Sequence, residues 1–129
     1  MKEDTKLWLK YSEENLEAAK ILLSSHLYNP ALYNLQQSVE KSLKSLLIEY
    51  AIGLKKTHSI SELKNVLEDM NIHIELDDDE CDLLDSIYLP SKYPVGSALP
   101  DYYPDEEVTK NCLTIALKVF EETQNRLAE

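Results

Sequence analysis

A chain of 129 residues, 43% of them hydrophobic, can bury one core and is too short for two ordinary domains. A formal net charge of −11 excludes a generic nucleic-acid binder, because non-specific affinity needs cations that replace counterions on phosphates. Two isolated glycines argue against a turn-rich sheet protein, and the longest apolar runs are far too short to cross a bilayer. The first residues are charged and no apolar signal core follows them, so a cytoplasmic protein with no membrane association is expected. The two cysteines, Cys81 and Cys112, read as reduced, buried small hydrophobes.

The first predicted helix covers about Thr5 to Ser25. Leu9, Leu16 and Leu23 repeat every seven residues, and Trp8, Tyr11, Ala18 or Ala19, and Leu22 fill the adjoining stripe. His26 to Pro30 interrupts, with Asn29 as the expected cap and Pro30 in the first turn of the next helix. That second helix is predicted to run to about Ile52, with Leu32, Leu35, Val39, Leu43, Leu46 and Tyr50 as its apolar stripe and Gly53 as its stop. Ser59 and Glu62 are spaced as a capping box for a third helix, whose apolar face is Ile60, Leu63, Val66, Leu67 and Met70. Asp77 to Glu80 opens a fourth helix of about a dozen residues, carrying Cys81, Leu84, Ile87 and Tyr88 inward. Residues 89–104 hold four of the 5 prolines and cannot be helical, and half of the 8 tyrosines fall between Tyr88 and Tyr103. The last predicted helix starts at Asp105 to Glu107 and ends near Leu127. The expectation is an all-α, up-and-down helical bundle of about five helices, three long and two short, in a single domain over residues 1–129.

Familiar catalytic and metal-binding patterns are missing. No glycine-rich phosphate loop, His-Glu-x-x-His pair or Gly-x-Ser-x-Gly elbow occurs, and His26, His58 and His73 are far apart in the chain. The Asp77 to Glu80 run lacks the alternating ligands of a calcium loop and reads as a solvated helix start. No metal and no cofactor are expected.

Three stretches carry a family resemblance. They are Trp8-Leu9 followed by Glu13 to Lys20, then Tyr33 to Leu46 leading through Gly53 to Lys56-Thr57-His58-Ser59, and finally Lys92-Tyr93-Pro94 before the last helix. Gln36-Gln37-x-x-Glu40-Lys41-x-x-Lys44 followed by Lys56-Thr57-His58 is the specific part. The chain resembles the HEPN family, the higher-eukaryote and prokaryote nucleotide-binding domains. The resemblance implies a helical bundle that pairs through helix faces, as a homodimer or higher homo-oligomer. It also implies one of two activities. Some HEPN proteins are RNases, often toxins, with an Arg-x(4–6)-His motif late in the domain. Others lack the motif and are nucleotide-binding modules or partners of minimal nucleotidyltransferases in toxin–antitoxin-like pairs. Here the only arginine is Arg126, with three residues and no histidine after it, and Lys92 stands where an arginine would be expected. The chain therefore reads as the non-catalytic type, with no catalytic residue assigned. A divergent RNase using Lys92 and His58 is the alternative, and a purely structural homo-oligomer is the third reading.

The candidate nucleotide or phosphate contacts are Lys41, Lys44, Lys56, Thr57, His58, Lys92 and Tyr93. Residues 29–66 carry a net charge of +2 while residues 67–107 carry −12, so a local basic face fits within an acidic chain. Lys41 and Lys44 share a helix face, with a polar pairing surface as the structural alternative. Gln36 and Gln37 read as a buried or interfacial hydrogen-bonding feature, because an amide needs several partners. Thr57 and His58 precede a helix start, where backbone amides with Lys55 and Lys56 could seat an anion; their structural alternative is to tie the link to the bundle. Lys92 and Tyr93, with Tyr102 and Tyr103 behind them, suit a phosphate contact and base stacking, or simply an anchored loop.

Overall fold

The computed structural model describes residues 1–53, 56–88 and 104–128. Five helices follow in chain order, α1 (Glu3–Ser24), α2 (Tyr28–Glu49), α3 (Ile60–Asp69), α4 (Asp78–Tyr88) and α5 (Glu106–Leu127), and all regular structure among the described residues is helical. Three helices have 22 residues and two have 10 and 11, as the periodicity predicts. None among the described residues is long and apolar enough to cross a membrane.

α2 is the central element and packs against the other four. Leu32, Leu35, Val39, Leu43 and Leu46 are fully buried, as their spacing requires, and each contributes about 1.5–3 kcal/mol through lost apolar exposure. α2 is also enclosed on its polar sides. Gln36, Ser38, Glu40, Ser42, Lys44 and Ser45 are all buried, which a hydropathy stripe does not foresee.

α1 buries Leu16 and Ala19 of its expected stripe, leaves Tyr11 of that stripe exposed, and also buries Thr5 and Ser12 outside it. Thr5, Ser12, Leu16 and Ala19 are buried, Trp8 and Leu9 are half-buried, and Tyr11 is 43% exposed. The reason is a hydroxyl seam between α1 and α2. Ser12 Oγ donates to the Ser38 carbonyl at 2.7 Å and lies 2.7 Å from Ser42 Oγ and 3.0 Å from Ser38 Oγ. Small side chains let two helices approach closely, and their mutual hydrogen bonds remove the cost of burying them.

Helix ends follow backbone rules more than residue identity. α2 starts at Tyr28, so Asn29 lies inside the first turn and caps nothing, while Pro30 still falls where its missing N–H is not needed. α2 ends before Gly53. Ala51 takes φ 55°, Ala51 N–H donates to Ile48 and Ile52 N–H donates to Leu47, which is a Schellman motif with a non-glycine turn residue. α1 and α3 end in the same way at His26 and Asn71. Gly53 follows with φ 96°. The segment after α3 buries Ile72, Ile74 and Leu76 in alternation, and so stitches α3 to α4.

Both thiols are buried, and burial pushes Cys81 up to about 11 and Cys112 up to about 12, which makes them inert hydrophobes. Asp77 and Glu80 form a reciprocal capping box at the start of α4, at 3.0 and 2.7 Å, and Asp105 caps α5 through Val108 N–H at 2.9 Å. Ala51→Gly is expected to stabilise the fold by about 1 kcal/mol in urea unfolding, because only glycine takes a left-handed turn without strain. Gly53→Ala should destabilise it by a similar ~1 kcal/mol through backbone strain alone, since a Cβ there meets no atom within 4 Å.

Candidate functional site

Gln36, Glu40 and Lys44 are spaced four residues apart, so they stack along one side of α2. All three are buried, at 0%, 3% and 5% exposure. Glu40 accepts from Lys44 Nζ at 2.9 Å and from Gln36 Nε2 at 3.4 Å. His58 Nδ1 lies 3.2 Å from both Glu40 carboxylate oxygens, and Gln36 Nε2 also donates to the His58 carbonyl at 3.1 Å. Gln37 donates to Gln36 Oε1 at 2.8 Å, so the adjacent amides form a hydrogen-bonded pair. The Lys44 ammonium sits 5.8 Å from the centre of the Trp8 ring, where the ring quadrupole favours a cation. A buried carboxylate surrounded by a cation, an amide and an imidazole is a satisfied group, and removing one partner would strand the others.

Lys41 belongs to a separate cluster. Its Nζ donates to Asn15 Oδ1 at 2.8 Å, Asn15 in turn donates to Asn34 at 2.8 Å, and the ammonium is 6.0 Å from the Tyr11 ring centre. Burial lowers its pKa, with Lys44 adding to the effect and Glu40 and Glu14 opposing it.

On the opposite side of Glu40, the His58 ring stacks on Tyr88 from the end of α4, with centroids 4.5 Å apart and planes at 21°. Asp85, one turn earlier on α4, turns back to the start of α3. Its Oδ1 accepts from Ile60 N–H at 2.6 Å, and its Oδ2 accepts from Ser59 Oγ at 3.1 Å, Ser61 N–H at 3.3 Å and Ser61 Oγ at 2.8 Å. Ser59 Oγ caps Glu62 N–H at 3.2 Å as expected, but Ser59 N–H donates to Thr57 Oγ1 at 3.0 Å rather than to Glu62. The amides that could seat an external anion are therefore already taken by the chain's own carboxylate and hydroxyl. A cavity of about 290 Å³ opens here, lined among the described residues by His58, Ser59, Asp85 and Tyr88.

The predicted candidates thus separate. Thr57 and His58 lie at this junction, with exposed Lys56 just before them. Lys41 and Lys44 face α1, where both have partners. Lys92 and Tyr93, along with Lys55, Tyr102 and Tyr103, lie outside the described residues. Asp85 was not singled out by the sequence, while Glu40 stood only as part of the family motif and Tyr88 only as an inward-facing residue of the fourth helix. The four-residue spacing of Gln36, Glu40 and Lys44 was a legible signal, whereas nothing local links Asp85 to residues about 25 positions earlier. Arg126, the only arginine, donates to the His73 carbonyl at 2.8 Å and lies 4.0 Å from Glu122, which ties α5 to the segment after α3.

The HEPN domain model matches residues 5–126. This chain belongs to the HEPN domain family. It is 32% identical to "Putative toxin MJ1304" of Methanocaldococcus jannaschii over 96% of this chain and 88% of that protein. The crystal structure of ST0689, an archaeal HEPN homologue, superposes with a TM-score of 0.64 at 27% identity, covering 98% of each chain. TT1696 from Thermus thermophilus superposes with a TM-score of 0.75 over 96% of this chain and 98% of that one, and at 24% identity it shows the fold alone. In this HEPN domain the Glu40–Lys44 pair joins α1 and α2 to the link before α3.

Lys44→Ala should destabilise the domain by about 3–5 kcal/mol in urea unfolding, since it strands a buried carboxylate. The double variant Glu40→Leu/Lys44→Met should recover a large part of that loss, and a double variant as unstable as the sum of its singles would contradict this account.

Proposed function

We propose that this HEPN domain is a non-catalytic nucleotide-binding and interaction module, acting as the partner of a minimal nucleotidyltransferase in a toxin–antitoxin-like pair in the cytoplasm. The observation that carries the reading is the cavity between the link before α3 and the end of α4, where an imidazole anchored by a buried carboxylate stacks on a tyrosine. The similarity to a protein named as a toxin supports the paired setting. The non-catalytic part rests on the arginine count: an Arg-x(4–6)-His motif needs an arginine with a histidine after it, and Arg126, the only arginine, has no histidine after it.

In this reading Lys56, Thr57 and His58 border the nucleotide, with Lys92 and Tyr93 as its proposed further contacts. Lys41 and Lys44 act by holding α1 against α2. Self-association would use helix faces, and Leu7 and Tyr11, one turn apart on α1 and 44% and 43% exposed, are apolar surface of the kind such pairing covers.

One feature favours the RNase alternative. A histidine held at Nδ1 by a buried carboxylate is the arrangement of a general base. The two readings separate in one experiment, in which tagged protein is captured from its native extract and the purified material is incubated with RNA. The non-catalytic reading expects a stoichiometric nucleotidyltransferase to co-purify and RNA to stay intact. Recovery of the chain only with itself, together with RNA cleavage lost in His58→Ala, would overturn it.

A further inference from the structure

We infer that the outward face of α1 is a dimer seam that takes a second copy of this chain in antiparallel orientation, with Lys10 of each copy beside Glu17 of the other. The inference rests on the self-association part of the proposed function and specifies its face, direction and register.

α1 carries a second apolar stripe besides the one in the core. Its inner side, with Leu16 and Ala19 beside Thr5 and Ser12, is buried where α1 packs against α2 and α5. Leu7, Tyr11, Ala18 and Ile21 follow one another at spacings of four, seven and three residues, which a 3.6-residue period gathers on one other side of the helix. Leu7 and Tyr11 are exposed, Ile21 is 66% exposed and Ala18 is half-buried. Glu14, also exposed, fills the remaining position of this stripe. A helix that packs on one side and still presents apolar side chains along another has surface for a further helix. On its α2 side the stripe is bordered by Lys41, whose ammonium is 6.0 Å from the Tyr11 ring centre and donates to Asn15.

The stripe is symmetric about Glu14. Leu7 and Ile21 lie seven residues before and after it, Tyr11 three before and Ala18 four after. A second α1 running the other way therefore sets Leu7 against Ile21 of the partner subunit and Tyr11 against Ala18 of the partner subunit. A surface that meets itself in this way forms a closed, isologous pair.

Charge fixes the direction. The flank of the stripe opposite Asn15 carries Lys10 and Glu17, both exposed. Lys10 lies four residues before Glu14 and Glu17 three after it, so antiparallel pairing brings them level to within one residue's rise of about 1.5 Å. The twofold axis makes this opposite-charge pair twice. Glu17 accepts from Lys20 through Oε1 at 3.1 Å, and a carboxylate has a second oxygen with which to accept. Parallel pairing would set Lys10 against Asn15 of the partner subunit and Glu17 against Leu22 of the partner subunit, which matches neither charge. Glu14 meets its own copy at the centre, a like-charge contact that the Lys41 ammonium of each chain partly offsets.

Sedimentation equilibrium of the full chain at low salt tests this. The native chain should be dimeric. Lys10→Glu sets like charges together at both pairs and should weaken the dimer about tenfold, and Glu17→Lys should do the same. Mixed in equal amounts, the two single variants should form a heterodimer within about threefold of native strength, because both pairs are then opposite in charge. Glu14→Gln should tighten the native dimer by about threefold. A dimer that both single variants leave unchanged would overturn the inference and leave self-association standing. A mixture no tighter than either variant alone would overturn the antiparallel register. A native chain that stays monomeric, or that associates only with a co-purified nucleotidyltransferase, would overturn both the inference and the self-association on which it rests.

Discussion

A carboxylate buried in a helical bundle must keep its partners, and this domain is organised around one such group. Glu40 is shared by Lys44 on its own helix, by Gln36 one turn earlier and by the ring of His58 from the following link. Lys44 in turn lies against Trp8 of α1. One buried charge therefore joins the two longest-contacting helices to the start of the α3–α4 pair. Moving His58 away would leave Glu40 with one fewer compensating donor in a place water does not reach, which is why the link is held where it is.

The rest of the architecture divides into a three-helix part and an attached part. α1, α2 and α5 form the first, with the Ser12, Ser38 and Ser42 hydroxyls letting α1 and α2 approach closely. α3 and α4 are the attached part and are joined to each other by Asp85, which neutralises the α3 dipole from within. Among the described residues, the cavity lies between the link before α3 and the end of α4. This explains why its two aromatic rings come from different elements: one is anchored to the bundle through Glu40, the other stands at the end of α4.

The apolar spacing in the sequence was sufficient for the five helices and for the α2 core, because a 3.6-residue period survives whatever the helices pack against. The setting of α1 was legible only in part. Leu16 and Ala19 of the expected stripe are buried, but Tyr11 is exposed and Thr5 and Ser12 are buried, because their hydroxyls find partners on α2, the Glu49 carboxylate for Thr5 and the Ser38 and Ser42 groups for Ser12. Gly53 looked like the helix stop because glycine is the residue best suited to a left-handed turn, but Ala51 accepts the same conformation two residues earlier. At the candidate site Thr57 and His58 were legible from the chain, and Gln36 was correctly read as a buried amide. Glu40 stood in the sequence only as part of the family motif, and the three-dimensional arrangement turns it into the group on which His58 depends.

The central claim is that Glu40 sets the orientation of His58, and the tautomer of that histidine reports it directly. Two-bond ¹H–¹⁵N correlation spectra of the imidazole, recorded at a pH where the ring is neutral, distinguish a protonated Nδ1 from a protonated Nε2. The account predicts the Nδ1-protonated tautomer in the native chain, and its loss in favour of mixed tautomers in Glu40→Gln. A native His58 protonated at Nε2, or a tautomer that Glu40→Gln leaves unchanged, would contradict it.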